Sequence, residues 1–116
     1  MEVPITTKTI DKGESIEVKV GYGDHDVFKD DVGLYGELYP QALKAVIHRI
    51  FVPEEDQGKG YGRKIFAAFE ALAREKNYKS VRIGLMSNIN MRDLKILLKL
   101  GFTCVDKENA VYEKAL

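Results

Sequence analysis

Gln57-Gly58-Lys59-Gly60-Tyr61-Gly62-Arg63 stands between an apolar run at residues 45–52 and an amphipathic run at residues 65–73. The order reads as strand, glycine-rich turn, helix. Glycine tolerates the positive φ that a tight turn requires. At the start of a helix the first N–H groups have no intrahelical acceptor, and their partial positive charge suits an anion. The stretch is therefore a candidate phosphate cradle. Spacing excludes two nucleotide motifs. The dinucleotide fingerprint needs two residues between its second and third glycines, and here Tyr61 alone separates Gly60 from Gly62. The P-loop needs Ser or Thr after Gly-Lys, and Gly60 follows Lys59. On the glycines alone, a tight strand-to-helix connection explains the turn as well as phosphate does.

Ile65, Phe66, Phe69, Leu72 and Ala73 fall on one face of the helix after the turn, which Asn77 closes. Residues 45–52 are largely β-branched and apolar on both faces, which predicts a central strand covered on two sides, interrupted by His48 and Arg49. Downstream, residues 80–86 read as a strand. Asn90 caps a second helix carrying Met91, Leu94, Leu97, Leu98 and Leu100 and stopping at Gly101. Residues 102–105 and 110–116 read as closing strands joined by a turn at 107–109. Upstream, residues 16–20 alternate apolar and charged as a half-buried strand does, with residues 6–10 as a hairpin partner across a turn at 11–14. Residues 21–31, with two Gly and four Asp, read as a loop, and residues 32–39 as a weaker strand ended by Pro40. This order predicts an α/β or α+β sandwich on a mixed sheet.

A chain of 116 residues has room for one core, so one domain at 1–116 is expected. Apolar residues make up 45% and charged residues 31%, as in an ordinary globular protein. Lys plus Arg balances Asp plus Glu at 18 each, which gives no electrostatic case for nucleic acid or a membrane surface. The single Cys excludes an internal disulfide and a Cys-rich metal site, so no metal is expected. Residues 1–10 lack the apolar core of a signal peptide, and no apolar run approaches the roughly 20 residues of a membrane helix. A cytoplasmic protein is expected.

The longer stretch Ile47-His-Arg-Ile-Phe-Val-Pro-Glu-Glu-Asp-Gln-Gly-Lys-Gly-Tyr-Gly-Arg63 resembles the central acetyl-CoA motif of the GNAT superfamily, the general-control-related N-acetyltransferases. The family pattern Gln/Arg-x-x-Gly-x-Gly/Ala is matched by Gln57, Gly60 and Gly62. A second signature, an Asn followed by a helix ending in Leu-Gly-Phe, is matched by Asn90 and Leu100-Gly101-Phe102, and Val111-Tyr112-Glu113-Lys114 resembles the closing strand. The resemblance spans roughly residues 45–116. It implies a GNAT-like mixed, mostly antiparallel sheet with a splayed central strand pair and helices packed on it. It also implies an acetyl-CoA-dependent N-acetyltransferase acting on a primary amine by direct attack on the thioester. Backbone N–H groups from Gln57, Gly58, Lys59, Gly60, Tyr61, Gly62 and Arg63 would hold the CoA pyrophosphate. Ile50, Phe51 and Val52 would pair with the pantetheine arm like an added strand. An N–H near Val52 would serve a developing oxyanion. Asn90 matches the family's asparagine that contacts the CoA arm, a role compatible with its helix cap.

Two family positions are filled differently. The Tyr expected as general acid on the second helix is Leu97, and the Glu expected as base on the central strand is Val46. An ammonium with pKa near ~10 must lose a proton before it attacks, so a base is still needed. His48 lies two residues on and on the same strand face as Val46, and imidazole titrates in a suitable range. Glu37, Tyr35 and Tyr39 on the preceding strand are further candidates. The plainer readings are a hydrogen-bonded histidine and a solvated sheet face. His25 is expected to be exposed in the acidic loop, and Cys104 to be a packing residue. No helix is legible before residue 45, where typical members carry two that shape the acceptor pocket. An abbreviated N-terminal part implies an open acceptor side. That suits a protein or peptide amine, or completion by a partner chain such as a second copy in a homodimer. The alternative functions are a CoA-binding module with little or no catalysis, or a partner-binding scaffold.

Overall fold

The computed structural model describes residues 4–24, 32–84 and 98–116. Strands β1 (Ile5–Asp11), β2 (Ile16–Tyr22), β3 (Gly33–Tyr39) and β4 (Lys44–Phe51) run in sequence. A single 3-10 turn at Glu54–Asp56 leads to helix α1 (Tyr61–Glu75), then β5 (Ser80–Gly84), β6 (Thr103–Asp106) and β7 (Val111–Ala115). The seven strands form one sheet in the order β1-β2-β3-β4-β5-β7-β6. Only β4 and β5 pair in parallel. This is the mixed, mostly antiparallel sheet expected from the sequence.

The period-2 pattern sends alternate side chains to one face. Val18, Val20 and Tyr22 of β2, Leu34 and Leu38 of β3, Ala45 and Ile47 of β4, and Val81 and Ile83 of β5 are buried together. Ile65, Phe66, Phe69 and Ala73 of α1 cover them. Phe69 has no exposed surface, and burying such a ring contributes roughly 1.5–3 kcal/mol. Gly36 makes its seat. A Cβ there would lie 2.6 Å from the Val46 carbonyl oxygen and 2.9 Å from the Phe69 ring. The helix ends as its sequence predicts: the Lys76 N–H bonds the Leu72 carbonyl, and Asn77 takes the left-handed conformation at φ 63°.

Several expectations change. Gly21 and Tyr22 extend β2 rather than opening a loop, because they pair with Thr6 and Ile5 of β1. The central strand is not covered on both faces throughout. Beyond Ile47, a bulge opposite Tyr35 and Gly36 leaves His48 and Arg49 exposed. Cys104 is exposed rather than packed, because β6 is an edge strand and the neighbouring Phe102 fills the core instead. No helix precedes β4 among the described residues, and β1 passes directly to β2 through a turn in which the Lys12 N–H bonds the Ser15 carbonyl. Leu98 and Lys99 are helical and Gly101 takes φ 100°, consistent with a helix ending there. His25, Asn90, Leu97 and residues 85–86 lie outside the described residues. No helix of the described residues is long and apolar enough to cross a membrane.

Gly36→Ala is expected to destabilise the fold by about 1–3 kcal/mol, since backbone oxygen and a buried ring must both move. Urea unfolding measures it, and a loss no larger than that of a surface Gly→Ala control counts against the Phe69 seat.

Candidate functional site

Parallel pairing between β4 and β5 runs from Lys44 opposite Ser80 to Ile47 opposite Ile83. β4 then continues to Phe51 while still paired to β3, with Leu34 opposite Ile50 and Gly33 opposite Phe51. Among the described residues, Ile50 and Phe51 have no strand partner on the β5 side. An extended ligand arm could supply one. Gln57 Nε2 donates to the Val52 carbonyl at 3.0 Å, tying the turn back to the strand end.

The glycine turn follows at once. Residues 57–60 are exposed. Gly58 and Gly60 take φ 84° and 85°, which explains glycine at both positions. Gly60 is the N-cap of α1 and makes no side-chain cap, so the orphan N–H groups of the first turn are not capped by it. A Cβ on Gly58, Gly60 or Gly62 would meet no atom of the described residues within 4 Å. These glycines therefore border open space rather than packed protein, and the turn fits a phosphate group. Arg63 is exposed on the first helical turn, and Lys59 Nζ lies 3.7 Å from Asp56 Oδ1.

The second cluster lies on the sheet face away from α1. Glu37 sits directly opposite Val46, the strand position where the family resemblance implies a carboxylate. Glu37 Oε1 lies 3.0 Å from His48 Nε2, and Glu37 Oε2 accepts from Ser15 Oγ at 2.7 Å. The Tyr35 ring lies 5.4 Å from the His48 ring. The Ser15 hydroxyl holds the Glu37 carboxyl below its ordinary value, with help from His48 and against partial burial. Burial, then the Glu37 charge, pushes the Tyr39 phenol up. An ionised Glu37 only accepts, so His48 Nε2 must donate to it. In the neutral ring, Nδ1 then carries the lone pair. The bulge at His48 brings this ring into the Tyr35–Glu37 cluster, and sequence periodicity does not reveal a bulge.

Tyr22 was not anticipated. Its hydroxyl donates to Asp56 Oδ2 at 2.6 Å, and its ring stacks on Tyr61 at 4.3 Å between centroids. Its place at the end of β2 was hidden by the flanking Gly21 and Gly23, which read as loop.

The acetyltransferase (GNAT) family matches residues 20–102. No curated protein matches the chain significantly in sequence. Among solved structures, a GNAT family acetyltransferase from Elizabethkingia anophelis with acetyl-CoA bound superposes with a TM-score of 0.68 at 18% identity, covering 97% of this chain and 98% of that one. The PaiA N-acetyltransferase from Thermoplasma acidophilum in complex with coenzyme A gives 0.62 at 19%, covering 89% and 62%. The IAA acetyltransferase from Bacillus cereus gives 0.66 at 14%, covering 97% and 100%. At these identities the likeness to the solved structures is one of fold.

Because its folded pKa is depressed, Glu37 contributes stability that is present above its unfolded value and lost as pH falls through the folded value, below 4.5. The stability deficit of Glu37→Gln relative to wild type should therefore be full at pH 7 and shrink below pH 4.5. Ser15→Ala removes the largest cause and should move that window upward. Urea midpoints across pH test this, and a deficit that does not change with pH contradicts it.

Proposed function

Because the chain belongs to the acetyltransferase (GNAT) family, we propose that it is an N-acetyltransferase that uses acetyl-CoA to acetylate a primary amine. One coincidence carries this reading. Among the described residues, β4 pairs with β5 as far as Ile47, immediately before the bulge that delivers His48 to Glu37. A groove for an acyl donor and a candidate base thus begin at the same point of the same strand.

In this reading the N–H groups of residues 57–63 hold the pyrophosphate, with Lys59 and Arg63 adding charge, and the backbone of Ile50, Phe51 and Val52 pairs with the pantetheine arm. Asn90 is proposed to reach the same arm. As co-substrate, acetyl-CoA supplies an acyl group on sulfur: the bond to the amine nitrogen forms as the C–S bond breaks, and the thiol is released. His48 Nδ1 accepts the amine proton, directly or through water. Glu37 holds the ring in the tautomer that leaves this nitrogen free, and Ser15 holds Glu37. Tyr35 packs beside the imidazole and limits its rotation. Among the described residues no helix lies between β1 and β2, which supports an open acceptor side. An open side suits an amine on a protein or peptide. The lone cysteine fits a reducing, cytoplasmic setting.

Acetyl-CoA, but not ATP or NAD, should protect the protein against heating, and Gly62→Val should abolish the protection. Gly62 is the cleaner probe because it has an ordinary helical φ and open space, whereas a side chain at Gly60 is strained at φ 85°. Unchanged protection in Gly62→Val would refute the placement of the pyrophosphate. Thiol release with a panel of small amines and lysine-bearing peptides should fall by about 100-fold or more in His48→Ala, and by less in Glu37→Gln. Protection without thiol release from any acceptor favours a CoA-binding module that does no chemistry. No protection at all favours a scaffold.

A further inference from the structure

We propose that Tyr22 is a positioning residue for the donor site, holding both ends of the glycine turn in register for the CoA pyrophosphate; this rests on the reading of that turn given above. The turn's own side chains tie it only at the surface, through Gln57 Nε2 on the Val52 carbonyl at 3.0 Å and Lys59 Nζ 3.7 Å from Asp56 Oδ1. Residues 57–60 are all exposed, and Gly58 and Gly60 place no side chain on anything. Its backbone is tied down just before it, where the Asp56 N–H bonds the Pro53 carbonyl and the Gln57 N–H bonds the Glu54 carbonyl. Among the described residues, the next backbone anchor is the Lys64 N–H to the Gly60 carbonyl, already inside α1.

Tyr22 spans that gap from the sheet. Only 3% of it is exposed, and it sits at the last position of β2, paired through its backbone with Ile5. Its hydroxyl donates to Asp56, the last residue of the 3-10 turn, at 2.6 Å. Its ring lies nearly parallel to Tyr61, the first residue of α1, with 14° between planes. One rigid side chain therefore fixes the residue that enters the glycine turn by a hydrogen bond and the residue that leaves it by stacking. The bond is charge-assisted, and the phenol stays protonated because burial and then Asp56 raise its pKa above the ordinary tyrosine value. Tyr22 touches no ligand in this arrangement. It raises the fraction of molecules whose turn is already shaped for the diphosphate, and apparent affinity scales with that fraction.

The test separates the hydroxyl from the ring. Tyr22→Phe keeps the stack and deletes the bond; Asp56→Ala deletes it from the other side and also removes the carboxylate that lies 3.7 Å from Lys59 Nζ. Each should weaken CoA binding by about tenfold in calorimetry, the worth of one hydrogen bond to a charged group. The double variant should be no weaker than Asp56→Ala alone. Asp56→Asn, whose carboxamide oxygen still accepts from the hydroxyl, should retain most of the affinity. In the protein without ligand, amide hydrogen exchange at Gly58 and Gly60 should quicken in Tyr22→Phe while the strands keep their protection. Wild-type protein that binds no CoA overturns the reading of the glycine turn. Wild-type protein that binds, with Tyr22→Phe binding equally well or exchanging no faster in the turn, overturns the role of Tyr22. Additive losses in the double variant also overturn it.

Discussion

Among the described residues, backbone pairing between β4 and β5 runs no further than Ile47, and the candidate site is built around that point. A strand that leaves its neighbour inside a sheet presents N–H and C=O groups that water or another chain must satisfy. Here the departing segment stays rigid, because β3 continues to pair with it as far as Phe51. Among the described residues, this segment is held by β3 on one side and has no strand partner on the other. The bulge at His48 lies at the same place. An extra residue in one strand raises local twist and re-aims side chains. It thus presents His48 and Arg49 on the Tyr35 side.

The helix that carries the glycine turn is seated by the same strands. Phe69 rests on Gly36, which follows Tyr35 at the bulge and precedes Glu37. Any side chain at position 36 would push the helix off the sheet. It would also press on the Val46 carbonyl, within the last paired segment of β4. Donor turn and candidate base lie on different elements and different faces, yet their geometry depends on one contact between a ring and a missing Cβ. Tyr22 adds a second tie between the sheet and the turn, one strand further out.

Much of this was legible in the sequence, for physical reasons. Strands reveal themselves by period-2 burial, and β1, β2, β3 and β4 were found within a residue or two. The apolar stripe at Ile65, Phe66, Phe69 and Ala73 gave α1, and left-handed Asn77 and Gly101 behaved as terminators. What stayed hidden depends on which residue faces which across strands. No periodicity says that Glu37 lies opposite Val46, that one residue of β4 has no partner on β3, or that β6 ends at the sheet edge and exposes Cys104. Tyr22 was missed because local glycine content outweighed pairing partners far away in the chain: Ile5, 17 residues before Tyr22, and Pro4, 19 residues before Gly23.

Register also accounts for Val46, the residue that departs from the family pattern. On the open face, Glu37, Val46 and Arg82 lie in a row across β3, β4 and β5. Arg82 is taken by Glu113 of β7, with Nη2 2.6 Å from Oε2, and Glu37 is taken by His48 and Ser15. A glutamate at position 46 would face Glu37 directly, and like charges directly opposite each other are destabilising. It would also compete for Arg82 and leave Glu113 with a weaker partner. Valine instead separates two acid–base pairs with an apolar spacer. The carboxylate implied at position 46 and the one observed at position 37 are therefore alternatives in this sheet rather than independent choices. A chain that places its carboxylate on β3 gains from an uncharged residue at 46, which leaves Glu37 to pair with His48 and Ser15.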